Sequence, residues 1–222
     1  MILAERLAQA IAGGIRRIGQ IAILPDTASA AYALCHIDDE TTDPALLEAH
    51  DGPAAARTIS TWADDGHYRF TKGELTLKRG WLLRLGSADE LRQALDLFYP
   101  ANVGMHFAAL DGRLQVEQLR DKLNRQTGMY RFARNLSDAG AQALVKEVCG
   151  PANCCVKKIL WGLDAGTPLE DSEASRFDGV VGGIDRAQAI PLRCREACNH
   201  FVAEARKASK AEFERQAAAG PS

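Results

Sequence analysis

The chain has 222 residues, 46% of them apolar and 25% charged, with a formal net charge of -2. That is enough chain to bury a substantial core as one large or two small domains, and the near balance of charge supplies no global pull towards nucleic acid. No apolar run reaches the length of a membrane span: residues 1–23 are interrupted by Glu5, Arg6, Arg16 and Arg17 and lack the ordering of a secretory signal, so a cytoplasmic protein with no membrane partner is expected.

In chain order, Leu3, Leu7, Ala10 and Ile11 recur at helical spacing as far as Gly13-Gly14. Residues 19–24 read as a short strand closed by Pro25-Asp26. Residues 31–37 read as a second strand, ahead of an acidic segment, 38–51, with six acids and no Lys or Arg. Residues 54–63 look helical, Asp64-Asp65-Gly66 turns the chain, and 68–70, 75–77 and 81–85 follow as short segments, the last strand-like. Ser87 and Glu90 have the spacing of a capping box and open a helix over 88–98, with Leu91, Ala94, Leu95 and Phe98 as its buried stripe and Pro100 as its stop. The glycines, including Gly13-Gly14 and Gly182-Gly183, lack the strand-loop-helix context of a phosphate loop.

From Val103 helical periodicity dominates and strand signals fade. Val116, Leu119 and Leu123 define one helix, ended near Thr127-Gly128, and Ala143, Leu144 and Val148 define another that runs into Cys149. Residues 113–134 carry six basic residues against Glu117 and Asp121, a pattern that reads first as a solvated helix face and second as a contact for an anionic partner. Residues 162–183 read as a loop, and from Pro191 the chain reads as helical again, ending in a polar tail. The fold class expected is α+β. A mixed α/β domain with a small sheet over 1–102 precedes a mainly helical, cysteine-rich domain over 103–211, and 212–222 form the tail.

Five of the six cysteines fall in the last third: Cys149, Cys154, Cys155, Cys194 and Cys198. In a reducing compartment such groups bind metal or do chemistry more often than they form disulfides. Thiolates hold zinc or iron-sulfur clusters. Cys194-x3-Cys198 could serve as a zinc knuckle, but the step from Cys149 to Cys154 or Cys155 is wider than a knuckle and suits the separated corners of a cubane; the spacing favours a cluster and leaves zinc open. Lys157, Lys158, Arg193 and Arg195 place four cations beside these positions, where they would stabilise an anionic centre. Cys155 precedes a helix-like run, 156–161, and Cys194 follows Pro191 at the start of the last helix, so both would lie near helix N-termini, whose dipoles favour anions. Only one of the adjacent pair points towards a shared centre; Cys155, which leads the run, is preferred and Cys154 is the alternative. Cys35, isolated in a strand, reads as a small core side chain.

The blocks Arg125-Gln126-Thr127-Gly128-Met129-Tyr130-Arg131, Cys149 through Cys154-Cys155-Val156-Lys157-Lys158-Ile159-Leu160-Trp161, and Pro191-Leu192-Arg193-Cys194-Arg195-Glu196-Ala197-Cys198-Asn199 resemble the C-terminal part of multidomain proteins similar to sirohydrochlorin cobaltochelatases. In that architecture a stabilising α/β domain precedes a helical 4Fe-4S domain, and the resemblance covers roughly residues 70–208. It implies a 4Fe-4S cluster held by the thiolates of Cys149, Cys155, Cys194 and Cys198, with the choice between Cys154 and Cys155 open. Chelatase activity is not carried over, because the chain has no room for a chelatase domain and His36, His50, His67, His106 and His200 are scattered. His200 reads as an exposed helix position ahead of a donor to the cluster. Trp62 and Trp81 read as core, as does Trp161 ahead of a shield for the cluster. Tyr130 and Arg131 read as packing ahead of an interface.

The function expected is an accessory or electron-transfer component of tetrapyrrole or cobalamin-type metabolism, partnered by a protein of that chemistry or by a redox protein. The alternatives are a structural zinc module and an enzyme whose cluster leaves one iron open to substrate.

Overall fold

The computed structural model describes residues 2–27, 30–60, 77–114, 117–149, 158–159, 161–162, 188–194 and 197–219. These fall into two compact units. The first takes the described residues up to 114 together with 188–192; the second takes 117–149, 158–159, 161–162, 193–194 and 197–219. The architecture is mixed α/β, with a small sheet in the first unit and a helical second unit.

The first unit is built on a mixed sheet. Its strands are β1 (Arg17–Ile18), β2 (Ile21–Thr27), β3 (Ala30–His36), β4 (Glu48–Asp51), β5 (Trp81–Leu85) and β9 (Ala189–Ile190), in the order β4-β5-β3-β2-β1-β9. β2 pairs antiparallel with β3 and β3 with β5, in a register that aligns Ile23, Leu34 and Leu83 across one face and Ala22, Cys35 and Leu82 across the other. All six are buried, as befits central strands covered on both sides.

Helix α3 (Ala88–Phe98), with α1 (Leu3–Ala12) beside it, covers the face of Trp81, Leu83 and Leu85. Trp81 stacks on Phe98 with ring centroids 5.5 Å apart, α3 packs on β3 and β5, and α1 packs on α3. The helix over 88–98 stands as the sequence reads it, and its stripe of Leu91, Ala94, Leu95 and Phe98 is buried. Its capping differs in one detail. Ser87 Oγ accepts from Glu90 N–H at 3.2 Å, but the Glu90 carboxylate accepts from Gly86 N–H at 2.7 Å.

Two further helices, α2 (Ala55–Ser60) and α4 (Asn102–Leu110), complete this unit. Arg6 on α1 clasps Asp111 at the end of α4 through two hydrogen bonds of 2.7 and 2.8 Å, which with Arg113 hold the Asp111 carboxyl well below the usual carboxylate range. The tight link from β1 to β2 runs through Gly19 at φ +55°, where a Cβ would come within 2.7 Å of the Tyr99 ring and 2.8 Å of Leu192. β2 begins at Ile21 and passes through Pro25, so the strand read over 19–24 is shifted and longer.

The second unit packs α5 (Leu119–Asn124), a 3-10 segment (Gly128–Asn135), α6 (Asp138–Val148) and α7 (Asn199–Ala218) around a core of Leu119, Leu123, Ala133, Leu136, Ala141, Leu144, Val145, Val148, Phe201, Val202 and Ala205. Two parallel pairs of two-residue strands lie beside them. β6 (Glu117–Gln118) pairs with β8 (Trp161–Gly162), and β7 (Lys158–Ile159) with β10 (Arg193–Cys194).

Three readings of the sequence are corrected in this half. The run 156–161, read as a helix, contributes strands β7 and β8 where it is described. The helix read from Pro191 starts only at Asn199, after strand β10. The polar tail read from Glu212 is helical through Ala218. Two-residue strands carry no period that a sequence can display, which is why strand signals fade here. The segments read at 68–70 and 162–183 lie outside the described residues except for Gly162. Among the described residues no helix is long and apolar enough to cross a membrane.

Candidate metal centre

The second unit's helices carry two of the cysteines at their ends. α6 begins at the N-cap Ser137, whose Oγ accepts from Gly140 N–H at 3.0 Å, and ends at Cys149, whose N–H donates to Val145 O at 2.9 Å. Cys149 is 8% exposed and belongs to the same buried cluster as Leu144, Val148, Phe201 and Val202. At the start of α7, Cys198 is the N-cap, its backbone extended at φ -69° and ψ 161°, and its exposed Sγ accepts from Phe201 N–H at 3.4 Å. The structure thus moves the helix N-terminus from Cys194 to Cys198. The dipole argument for an anionic sulfur transfers with it, since the Phe201 N–H of the first turn donates to this side chain.

The direction of α6 against α7 follows from two contacts. Ser137, before the first turn of α6, bonds Glu212, far along α7, through Ser137 N–H at 3.1 Å and Oγ at 2.8 Å. The far end of α6, at Val148, shares its core with Phe201 near the start of α7. At 1.5 Å per residue, Ser137 to Cys149 spans about 18 Å and Cys198 to Glu212 about 21 Å. The helices are therefore antiparallel, and Cys149 and Cys198 lie at the same end of the pair.

Strand pairing brings in the other cysteine blocks. Cys194 is half-buried in β10 and faces Ile159 of β7 in parallel register, as Arg193 faces Lys158. β7 begins three residues after Cys155 in the sequence. Cys154 and Cys155 themselves lie outside the described residues, as do Lys157, Arg195 and the side chains of Lys158 and Trp161. Among the described residues no three of His, Cys, Asp and Glu are gathered closely enough to hold a metal ion.

The donor chemistry fits an iron-sulfur group. Cys149, Cys194 and Cys198 are cysteines outside any disulfide among the described residues, carried by elements of one unit, with a backbone N–H already directed at the Cys198 sulfur. Cys35 behaves in the opposite way. It is fully buried in β3, and burial, aided by Asp39 and Glu40, pushes its thiol up to about 12, so it remains a protonated core side chain.

The histidines stand where packing puts them: His200 is exposed on α7, His36 is buried beside Gln20, and His106 lies edge-on to Phe107 with centroids 5.1 Å apart. His67 and Trp62 lie outside the described residues, and Trp81 is core. Glu212 escaped sequence reasoning, which took it for the start of a tail. The signal that points to it is the Ser137-x-x-Gly140 start of α6, an N-cap serine without the acidic residue that usually completes a capping box three positions on.

No curated protein matches the chain. Among solved structures, the fold is similar to that of the multi-domain protein DR2241 from Deinococcus radiodurans, described as structurally similar to chelatases with two additional novel domains. The TM-score is 0.69 and the identity 22%, over 94% of this chain and 42% of that one. This chain thus spans less than half the length of that relative. Family models match a DR2241 stabilising domain at residues 3–109 and a 4Fe-4S iron-sulfur cluster binding domain at residues 111–207. Residues 3–109 are thus similar to the DR2241 stabilising domain family and residues 111–207 to the 4Fe-4S iron-sulfur cluster binding domain family.

Proposed function

We propose that this chain is a 4Fe-4S accessory protein of tetrapyrrole or cobalamin-type metabolism, its cluster held by Cys149, Cys155, Cys194 and Cys198, with Cys154 as the alternative to Cys155. The observation that carries the ligand set is the convergence of Cys149 and Cys198 at one end of the antiparallel α6–α7 pair, with Cys194 on β10, whose partner strand β7 follows Cys155 by three residues in the sequence. When bound, such a cluster supplies a one-electron centre whose potential is set by hydrogen bonds and burial around its sulfurs. In this chain Phe201 N–H on Cys198 and the core around Cys149 would do that.

The pathway rests on the cysteine blocks and on the likeness to DR2241, a protein described as similar to chelatases. A protein partner is supported by the 3-10 segment. Met129 is 62% exposed, and Tyr130 and Phe132 are exposed beside it. Arg131 and Lys210 lie 5.1 and 5.4 Å from the Phe132 ring centre. Neither they nor Arg134 has a carboxylate partner among the described residues. Aromatic, Met and Arg side chains grouped in this way are typical of protein interfaces, and unpaired cations suit an acidic one.

Purification without oxygen tests the cofactor. The protein is expected to be brown and to carry about four irons per chain, with matching sulfide. A colourless protein with one zinc would replace the cluster by a structural zinc module. Cys155→Ala and Cys154→Ala then identify the ligand of the pair, since only the true one bleaches the centre. Reversible one-electron reduction without iron loss supports the electron-transfer role. A spectral change on addition of a tetrapyrrole would instead favour an open iron.

A further inference from the structure

The geometry points to a positioning device for the cluster made by Ser137, Gly140 and Glu212, an inference that rests on Cys149 and Cys198 being ligands. A local capping box closes a helix start with a carboxylate three residues after the N-cap, which accepts the N-cap backbone N–H. In α6 that position is Gly140, and the carboxylate comes instead from Glu212, 75 residues downstream, accepting from both Ser137 N–H and Ser137 Oγ. Ser137 Oγ in turn accepts from Gly140 N–H, so the three residues close one small network at the first turn of α6.

Gly140 is what admits the visitor. A Cβ built there would overlap Oε1 of Glu212 and come within 3.1 Å of its Cδ and 3.0 Å of the Leu136 tip. A glycine inside a helix is otherwise unfavourable by about 1 kcal/mol relative to alanine, so the space it leaves for the carboxylate gives it a use. Arg120 adds a second tie at the same turn, through an ion pair with Asp138 and a 2.8 Å hydrogen bond to Leu136 O.

The consequence lies at the other end of the helices. A contact that fixes Ser137 against Glu212 fixes the sliding register of α6 on α7, and that register sets how far Cys149, at the end of α6, stands from Cys198, at the start of α7. A cluster tolerates little error in the separation of its ligands, whereas the buried core shared by α6 and α7 contains none of Ser137, Gly140 and Glu212. The lock therefore serves cluster retention more than folding.

Gly140→Ala separates the two roles because it favours the helix while displacing the carboxylate. Glu212→Ala removes the carboxylate itself, and Glu204→Ala, which breaks only the Lys207 pair on the same helix, is the control. Protein purified without oxygen is loaded with iron and challenged with an iron chelator, and helix content and thermal midpoint are measured on the iron-free forms. The expected result is iron release about tenfold faster in Gly140→Ala and Glu212→Ala, in line with the loss of a charged hydrogen-bond acceptor. Iron-free Gly140→Ala should be at least as helical as wild type, and Glu204→Ala should release iron at the wild-type rate. Wild-type release rates in both lock variants, with iron binding still dependent on Cys149 and Cys198, overturn the inference. Iron binding that survives Cys149→Ala and Cys198→Ala overturns the ligand reading beneath it.

Discussion

The two units solve the same problem with different resources. In the first, long central strands are buried on both faces, and α3 is closed at its start by Ser87 and Glu90, within four residues of chain. In the second, the paired strands are two residues long and the serine cap of α6 is completed by a carboxylate 75 residues away. A unit rich in local, mutually consistent signals can stand on its apolar core. One assembled from short pieces depends on long-range ties, and a bound metal centre is the strongest tie available to it.

Removal of iron should break this symmetry most. Chelation under reducing conditions is expected to lower protection of α7 and of the β7–β10 pair against amide exchange without unfolding them, while β2, β3 and β5 keep theirs in full, because a metal site's binding energy adds to the stability of the unit that carries it. Equal loss in both units would mean that they do not differ in this way. Next in size, Leu95→Ala should act in the opposite sense. Leu95 is fully buried under the sheet, so its truncation should cost about 3 kcal/mol of first-unit stability in denaturant titration while iron content stays unchanged. Ser87→Ala, which removes a local cap, should cost about 1 kcal/mol, again confined to the first unit.

The same division governs what could be read from the residues. The bounds of α3 and β5 and the four-residue stripe of α3 were legible because amphipathic spacing, a serine cap and a proline stop coincide within a dozen residues. So was the arrival of α6 at Cys149. β1 and β9 were not legible, since Arg17–Ile18 and Ala189–Ile190 become strands only by pairing with each other and with β2. The start of α7 was misplaced because Pro191 signals a helix entry, whereas the actual cap is Cys198, a residue type seldom read as one. Cys194 looked like a helix leader for the same reason and is a strand residue instead. The antiparallel pairing of α6 and α7, which brings the two cysteines to one end, shows in the contact of Ser137 with Glu212, and no local pattern announces so distant a partner.

The smallest effect concerns pH and returns to the first unit, where local burial rather than metal sets the chemistry. His36 is 3% exposed at the end of β3; its Nδ1 accepts from Asp38 N–H at 3.1 Å, and its Nε2 lies 3.3 Å from the Gln20 amide nitrogen. Burial lowers its pKa below 6.5, outweighing the opposite pull of Asp38 and Asp39, while Arg79 adds to the lowering. The unfolded chain therefore takes up this proton at a higher pH than the folded one. The stability His36 contributes is complete above the unfolded value of 6.5 and declines as pH falls through the folded one. The thermal midpoint of the first unit should slope gently downward as pH is lowered from neutrality to the onset of carboxylate titration. His36→Gln, which retains polar atoms in the same space without a titrating ring, should flatten that slope. An unchanged slope in the variant would assign the acid sensitivity to the carboxylates around β3 and leave the buried ring as packing alone.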